Sequence, residues 1–163
     1  MADSMSSVWL KAPSRAKTQD SKGILGIDPG LSGGIAFLLD GDANAWKMPE
    51  TERDIFNLLA NIREHISFAY IEKVASHPKQ GVVSVWKFGQ NNGFLRGCLI
   101  ALGIPFEAVA PGVWQKNMGC LSKGDKNVTK RRAQELFPTL KITHAIADAL
   151  LIAEYGRRIR VKE

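Results

Sequence analysis

The chain has 163 residues, 45% of them apolar and 23% charged, which is enough for one domain whose core needs no disulfide or zinc staple. No apolar run is long enough for a membrane helix, and two cysteines, Cys98 and Cys120, make no disulfide framework. The formal charge is +6, and its distribution is uneven: residues 1–111 hold 11 basic and 11 acidic side chains, residues 112–163 hold 11 and 5.

Residues 1–22 carry no sustained periodicity and read as a flexible basic tail. Ile24, Leu25 and Ile27 form a buried strand ended by Asp28-Pro29-Gly30. Residues 33–39 return as a second strand, and after the turn Asp40-Gly41-Asp42 a third runs from Asn44 to Met48. Thr51 caps a helix, with Asp54 as its capping-box partner, that carries Ile55, Leu58, Leu59, Ile62 and Ile66. Phe68 to Val74 is a fourth strand. A long helix is predicted from Val83 to Leu102, bearing Gly89, Gly93 and Gly97 on one stripe. Each glycine costs a helix about 1 kcal/mol against alanine, so three in a row suggest that another backbone or helix comes close. Phe106 to Val109 is a fifth strand, and Pro111 starts a short helix holding Trp114. Asp125 caps a basic helix ending before Pro138, and a last helix runs from Thr143 to about Arg158. Three meandering strands followed by alternating helices and strands imply one five-stranded mixed α/β sheet with helices on both faces.

Three acids interrupt apolar elements. Asp28 ends the first strand, Glu72 follows Tyr70-Ile71, and Asp148 lies in the apolar stretch 145–153. Each alone reads equally as a strand-end cap or an ordinary ion pair. Together they need three cations or one shared cation site, because an unpaired buried carboxylate costs several kcal/mol. Hard oxygen donors suit Mg²⁺ or Mn²⁺, and two such ions would serve phosphodiester hydrolysis. His144, four residues before Asp148, falls on the same helix face as a ligand or proton carrier, or as a structural histidine.

These residues match a known pattern. Residues 26–34 (GIDPGLSGG) resemble the first-strand motif of RuvC-type Holliday-junction resolvases. Tyr70-Ile71-Glu72-Lys73 resembles their second acidic strand, and residues 144–153 (HAIADALLIA) their last helix. Lys79-Gln80-Gly81, the glycine helix and Leu136-Phe137-Pro138 are similar to the phage and chloroplast branch. The resemblance implies an RNase H-like nuclease domain over 23–160, with 161–163 a short C-terminal tail. It implies a homodimer that resolves four-way DNA junctions in recombination and repair by two symmetric Mg²⁺-dependent cuts, with two ions per site and Mn²⁺ as a substitute. Asp28, Glu72 and Asp148 carry over as metal ligands. Bacterial RuvC proteins usually carry another aspartate where this chain has Ala145; His144 fits the phage and chloroplast variant, in which a histidine completes the site.

A localised basic excess points to a polyanion or, alternatively, to a solubilising surface. Lys116, Lys123, Lys126, Lys130, Arg131 and Arg132 cluster around one predicted helix, whose N-terminus suits a phosphate. The loop Ser122-Lys123-Gly124-Asp125-Lys126 resembles the family loop that brings a lysine to the scissile phosphate, so Lys123 is expected to act in catalysis. Lys79 and Gln80, after the Glu72 strand, are expected to reach DNA. The glycine helix, with Trp86, Gly89, Gly93 and Gly97, is expected to be the dimer interface by the same resemblance. The competing readings are a flap or RNA–DNA-hybrid nuclease, an actin-like ATP-binding domain, for which the chain is too short, and a non-catalytic junction binder, which gains nothing from acids beside DNA. No membrane and no nucleotide cofactor are expected. Two free cysteines fit a cytoplasmic setting, bacterial or in a phage-infected host. Asp3 and Asp20 argue against an organelle-import peptide in residues 1–22.

Overall fold

The computed structural model describes residues 22–73 and 81–161. The predicted tail lies outside them except for Lys22, as do Val74, Lys79 and Gln80. The order of elements follows the chain from a central strand outward. β1 (Gly23–Asp28) pairs antiparallel with β2 (Gly34–Leu39), and β2 with β3 (Asp42–Lys47). On its other side β1 pairs parallel with β4 (Ile66–Glu72), and β4 with β5 (Phe106–Val109). The sheet order is therefore β3-β2-β1-β4-β5.

Burial explains why the inner strands are nearly continuous apolar runs. β2 is buried along its whole length and β1 except for Asp28, whereas the edge strand β3 is exposed or half-buried throughout. β3 begins two residues earlier than expected. Asp40 and Gly41 both have positive φ, 49° and 86°, so two residues suffice for the hairpin and Asp42 already pairs with Leu39. β4 also begins two residues early: Ile66 pairs with Gly23, and the Ser67 hydroxyl donates to the Gly23 carbonyl at 2.9 Å. A 3-10 turn over Arg63–His65 leads into it.

Helices cover both faces. α1 (Glu52–Ile62) and α2 (Val82–Ala101) close one core around Leu25, Ile27, Ile35, Leu59, Leu95 and Leu99. Thr51 caps α1 as predicted, accepting from the Asp54 N–H at 3.1 Å. α3 (Pro111–Asn117), α4 (Lys126–Leu136) and α5 (His144–Arg160) close the other around Tyr70, Trp114, Leu150 and Ile152. α5 lies directly on the sheet backbone. A Cβ on Gly26 would sit 2.3 Å from the Ala149 carbonyl oxygen, and one on Gly34 would sit 2.4 Å from that of Ala145. Glycine at these two positions lets α5 approach closely enough to set Asp148 beside the ends of β1 and β4.

Candidate active site

β1 and β4 run parallel in register, Ile27 opposite Ile71, so the next residues, Asp28 and Glu72, are neighbours at the same end of the sheet. The third carboxylate, Asp148, comes from the first half of α5, which packs against β1. All three are half-buried, and each holds its proton to a higher pH than usual. For Asp28 burial is the main cause, followed by the charges of Glu72 and Asp148. Glu72 rises from 4.5 to about 7, by burial first, against a hydrogen bond from Trp114 that works the other way. For Asp148 burial again leads, opposed by the Thr129 hydroxyl, Lys126 and His144.

The partners of the acids are sparse. The Trp114 Nε1–H donates to Glu72 Oε2 at 2.8 Å and aims that carboxylate. The buried Thr129 hydroxyl stands between the Lys126 carbonyl, at 3.2 Å, and Asp148. Asp148 Oδ1 is buried and has no hydrogen-bond partner among the described residues. A buried acceptor left bare costs about 1–3 kcal/mol, so an absent donor or cation is the economical explanation. The donor set, three carboxylates and a nearby imidazole, suits a hard divalent cation. Among the described residues no group of three or more acid, histidine or cysteine side chains is arranged so that it could hold a metal ion as it stands. The acids stand within one another's field as an open set.

Lys126 is the cation whose charge acts on Asp28, Glu72 and Asp148 alike. It is the first residue of α4, behind the cap Asp125, whose carboxylate accepts from the Asn127 N–H at 2.9 Å. Lys123 sits three residues earlier, exposed, in a turn with φ of 49° followed by Gly124 at 94°, and it does not figure among the charges that shift the acids. Lys116 and Arg131 are exposed and Lys130 is half-buried. Arg132 is committed elsewhere: it donates to the Met118 carbonyl at 2.9 Å and pairs with Glu135 at 2.9 Å, tying α4 to the end of α3. His144 is exposed in the first turn of α5. Its cap Thr143 makes no side-chain hydrogen bond to the helix.

Three neighbours of the acids were not legible as such in the sequence. Trp114 and Thr129 are core residues by composition, and only the fold brings them to Glu72 and Asp148. Cys120 is the third. Burial, then the charge of Asp148, pushes its thiol up to about 11. On α2 the stripe Gly89, Gly93 and Gly97 faces open space: a Cβ on any of them would meet nothing within 4 Å. Trp86 beside it is 68% exposed, and with Val82, Val85, Gly89 and Gln90 it lines a groove of about 560 Å³.

The sheet order, the mixed strand directions and the helices on both faces define an RNase H-like fold. Within that class the chain is similar to Thermus thermophilus RuvC, with a TM-score of 0.60 at 16% identity over 85% of this chain and 96% of that one. It is similar also to T. thermophilus RuvC in complex with a Holliday junction substrate, at 0.58 and 15% over the same shares. No family model and no curated protein matches it. No helix among the described residues is long and apolar enough to cross a membrane.

Proposed function

We propose that this chain is a divalent-cation-dependent endodeoxyribonuclease that resolves four-way DNA junctions as a homodimer, through paired symmetric hydrolysis. The observation that carries the reading is the set of three half-buried carboxylates at one sheet end, each with a raised pKa and one with a bare buried oxygen. A stable protein has no use for such a set without a cation. Asp28, Glu72 and Asp148 are the residues that would hold two Mg²⁺ ions, with His144 as a further ligand or proton carrier. When bound, the ions supply a nucleophile from water and charge stabilisation at the leaving oxygen.

The chain's own groups do the rest. Trp114 fixes one oxygen of Glu72, leaving the other for the cation. Thr129 orients Asp148. Lys126, which already faces the carboxylates electrostatically, is the best-supported lysine to lie against the scissile phosphate, where it offsets charge that builds in the transition state. Lys123, Lys116, Lys130 and Arg131 then serve the flanking backbone phosphates. Lys79 and Gln80, from outside the described residues, retain their expected role toward DNA on the sequence resemblance alone. The phage and chloroplast kinship rests on that resemblance too, and the cytoplasmic setting on the two free cysteines.

The dimer reading rests on the open glycine stripe of α2 beside the exposed Trp86. Two strands related by a two-fold axis call for two sites related in the same way. The test is incubation of the protein with labelled junction, duplex, flap and RNA–DNA hybrid, in Mg²⁺ or EDTA. Symmetric nicks in the junction, abolished by EDTA, support the proposal. Preference for a flap or hybrid replaces the substrate class, and junction binding without cutting overturns the enzymatic reading.

A further inference from the structure

α2 has two working sides. One carries the open glycines. The other packs Leu95 and Leu99 into the core, and at its middle it reaches the turn that follows Asp28. Asn91 is buried there, and its Oδ1 accepts from the Gly30 N–H at 2.7 Å, a bond joining residues 61 apart. Gly30 has φ of 109°, which strongly favours glycine, and a Cβ on it would sit 2.9 Å from the Phe88 ring. The turn closes on itself: the Gly33 N–H donates to the Gly30 carbonyl at 3.0 Å. Gly33 in turn lies flat on Asp28, since a Cβ there would meet the Asp28 carbonyl oxygen at 2.1 Å. An amide side chain in a helix thus holds the backbone that holds Asp28.

We infer that Asn91 is a positioning residue for Asp28, acting through Gly30, so that α2 sets the geometry of the cation site. The inference rests on the metal-dependent reading above. A buried asparagine is a costly way to pack a helix if apolar fill would do. Its acceptor meets a backbone N–H that the tight turn leaves without a strand partner. Fixing a carboxylate by tying down its own backbone narrows the positions from which it can bind a cation, as outer groups do in metal sites generally. Because the same helix presents Gly89, Gly93 and Gly97 on its open side, anything seated there bears on the turn through Asn91 and Phe88.

The test uses the full chain with Asn91→Leu, which removes the acceptor, and Asn91→Asp, which keeps an oxygen where Oδ1 stood. Three readouts are taken: hydrogen exchange of the Gly30 amide, direct Mn²⁺ titration, and single-turnover junction cleavage against Mg²⁺. Asn91→Leu should lose protection at Gly30 and weaken Mn²⁺ binding roughly 10-fold. Cleavage should then need correspondingly more Mg²⁺, with junction affinity in Ca²⁺ unchanged. Asn91→Asp should recover most of both. Unchanged cation affinity in Asn91→Leu, or equal loss in both variants, would overturn the inference. Should Asn91→Leu fail to fold, Asn91→Ser, too short to reach Gly30, is read by the same titration. A wild type that binds Mn²⁺ but cuts no DNA would sink the nuclease reading while leaving the positioning role to be judged on the titration.

Discussion

Two carboxylates on α5, six residues apart, show opposite behaviour. Glu154 is buried, yet both its oxygens are occupied: Arg157 donates to them at 2.7 and 2.8 Å, and Arg158 to one at 2.8 Å. The two arginines hold its carboxyl below the ordinary value against the effect of burial. Asp148 is less buried, but its pKa is raised and one oxygen has no partner among the described residues. Glu154 is neutralised by cations three and four residues along its own helix, which makes it part of the scaffold. Asp148 stands with two more acids, steadied by Thr129, Lys126 and His144. Where a chain supplies the counter-charge an acid is structural; where it withholds it, an external cation is expected.

The sharpest way to break that contrast is to neutralise each acid in turn. Asp148→Asn should abolish junction cleavage, by about 10³-fold or more, and leave the metal-free melting temperature equal or higher. Asp28→Asn and Glu72→Gln should behave alike, with junction binding retained. Glu154→Gln should do the reverse, losing about 1–2 kcal/mol of stability as two guanidiniums lose their partner, with cleavage near wild type. Cleavage rates beside thermal melts decide it. Next in size is Lys126→Ala, expected to slow single-turnover cleavage about 100-fold with little change in affinity. Lys123→Ala should instead reduce the salt slope of binding by about 1. Gly93→Leu should separate a dimer into monomers in sedimentation by filling the open stripe of α2; a monomeric wild type at micromolar concentration would remove the dimer from the account.

The smallest effect is on pH. The folded-state pKa of Glu72 is raised, so the native chain holds a proton that the unfolded chain releases between 4.5 and about 7. Metal-free stability from this group is therefore fully present below 4.5 and lost as pH rises through about 7. Melting in EDTA should fall across that window, and the fall should be shallower in Glu72→Gln. Added Mg²⁺ should restore the loss at pH 8 and do little at pH 5.

Much of the fold was legible because its signals are local. The Thr51 and Asp125 caps, the bounds of β5 and the alternation of helices with strands all follow from neighbours in sequence. The acids were legible because each interrupts an apolar run. Glu154 escaped the same reasoning, although it sits in the same helix, because its partners follow it within one turn and look like ordinary surface charge. Trp114 reaches Glu72 across 42 residues and Asn91 reaches Gly30 across 61, distances that no spacing rule spans. The resemblance gives the catalytic role to Lys123 and DNA contact alone to Lys126, whereas the lysine whose charge acts on the acids is Lys126. The turn at Lys123 and Gly124, both with positive φ, is what makes Lys126 the first residue of the helix facing the acids.

The central claim is that Asp28 and Glu72, at the ends of β1 and β4, and Asp148, in the first half of α5, bind a divalent cation. Calorimetric titration of Mn²⁺ at pH 7.5 into wild type, Asp148→Asn and Glu154→Gln tests it most directly. The account predicts binding to wild type and Glu154→Gln, and binding lost or weakened at least about 10-fold in Asp148→Asn. Equal affinity in all three, or no binding to wild type, would contradict it.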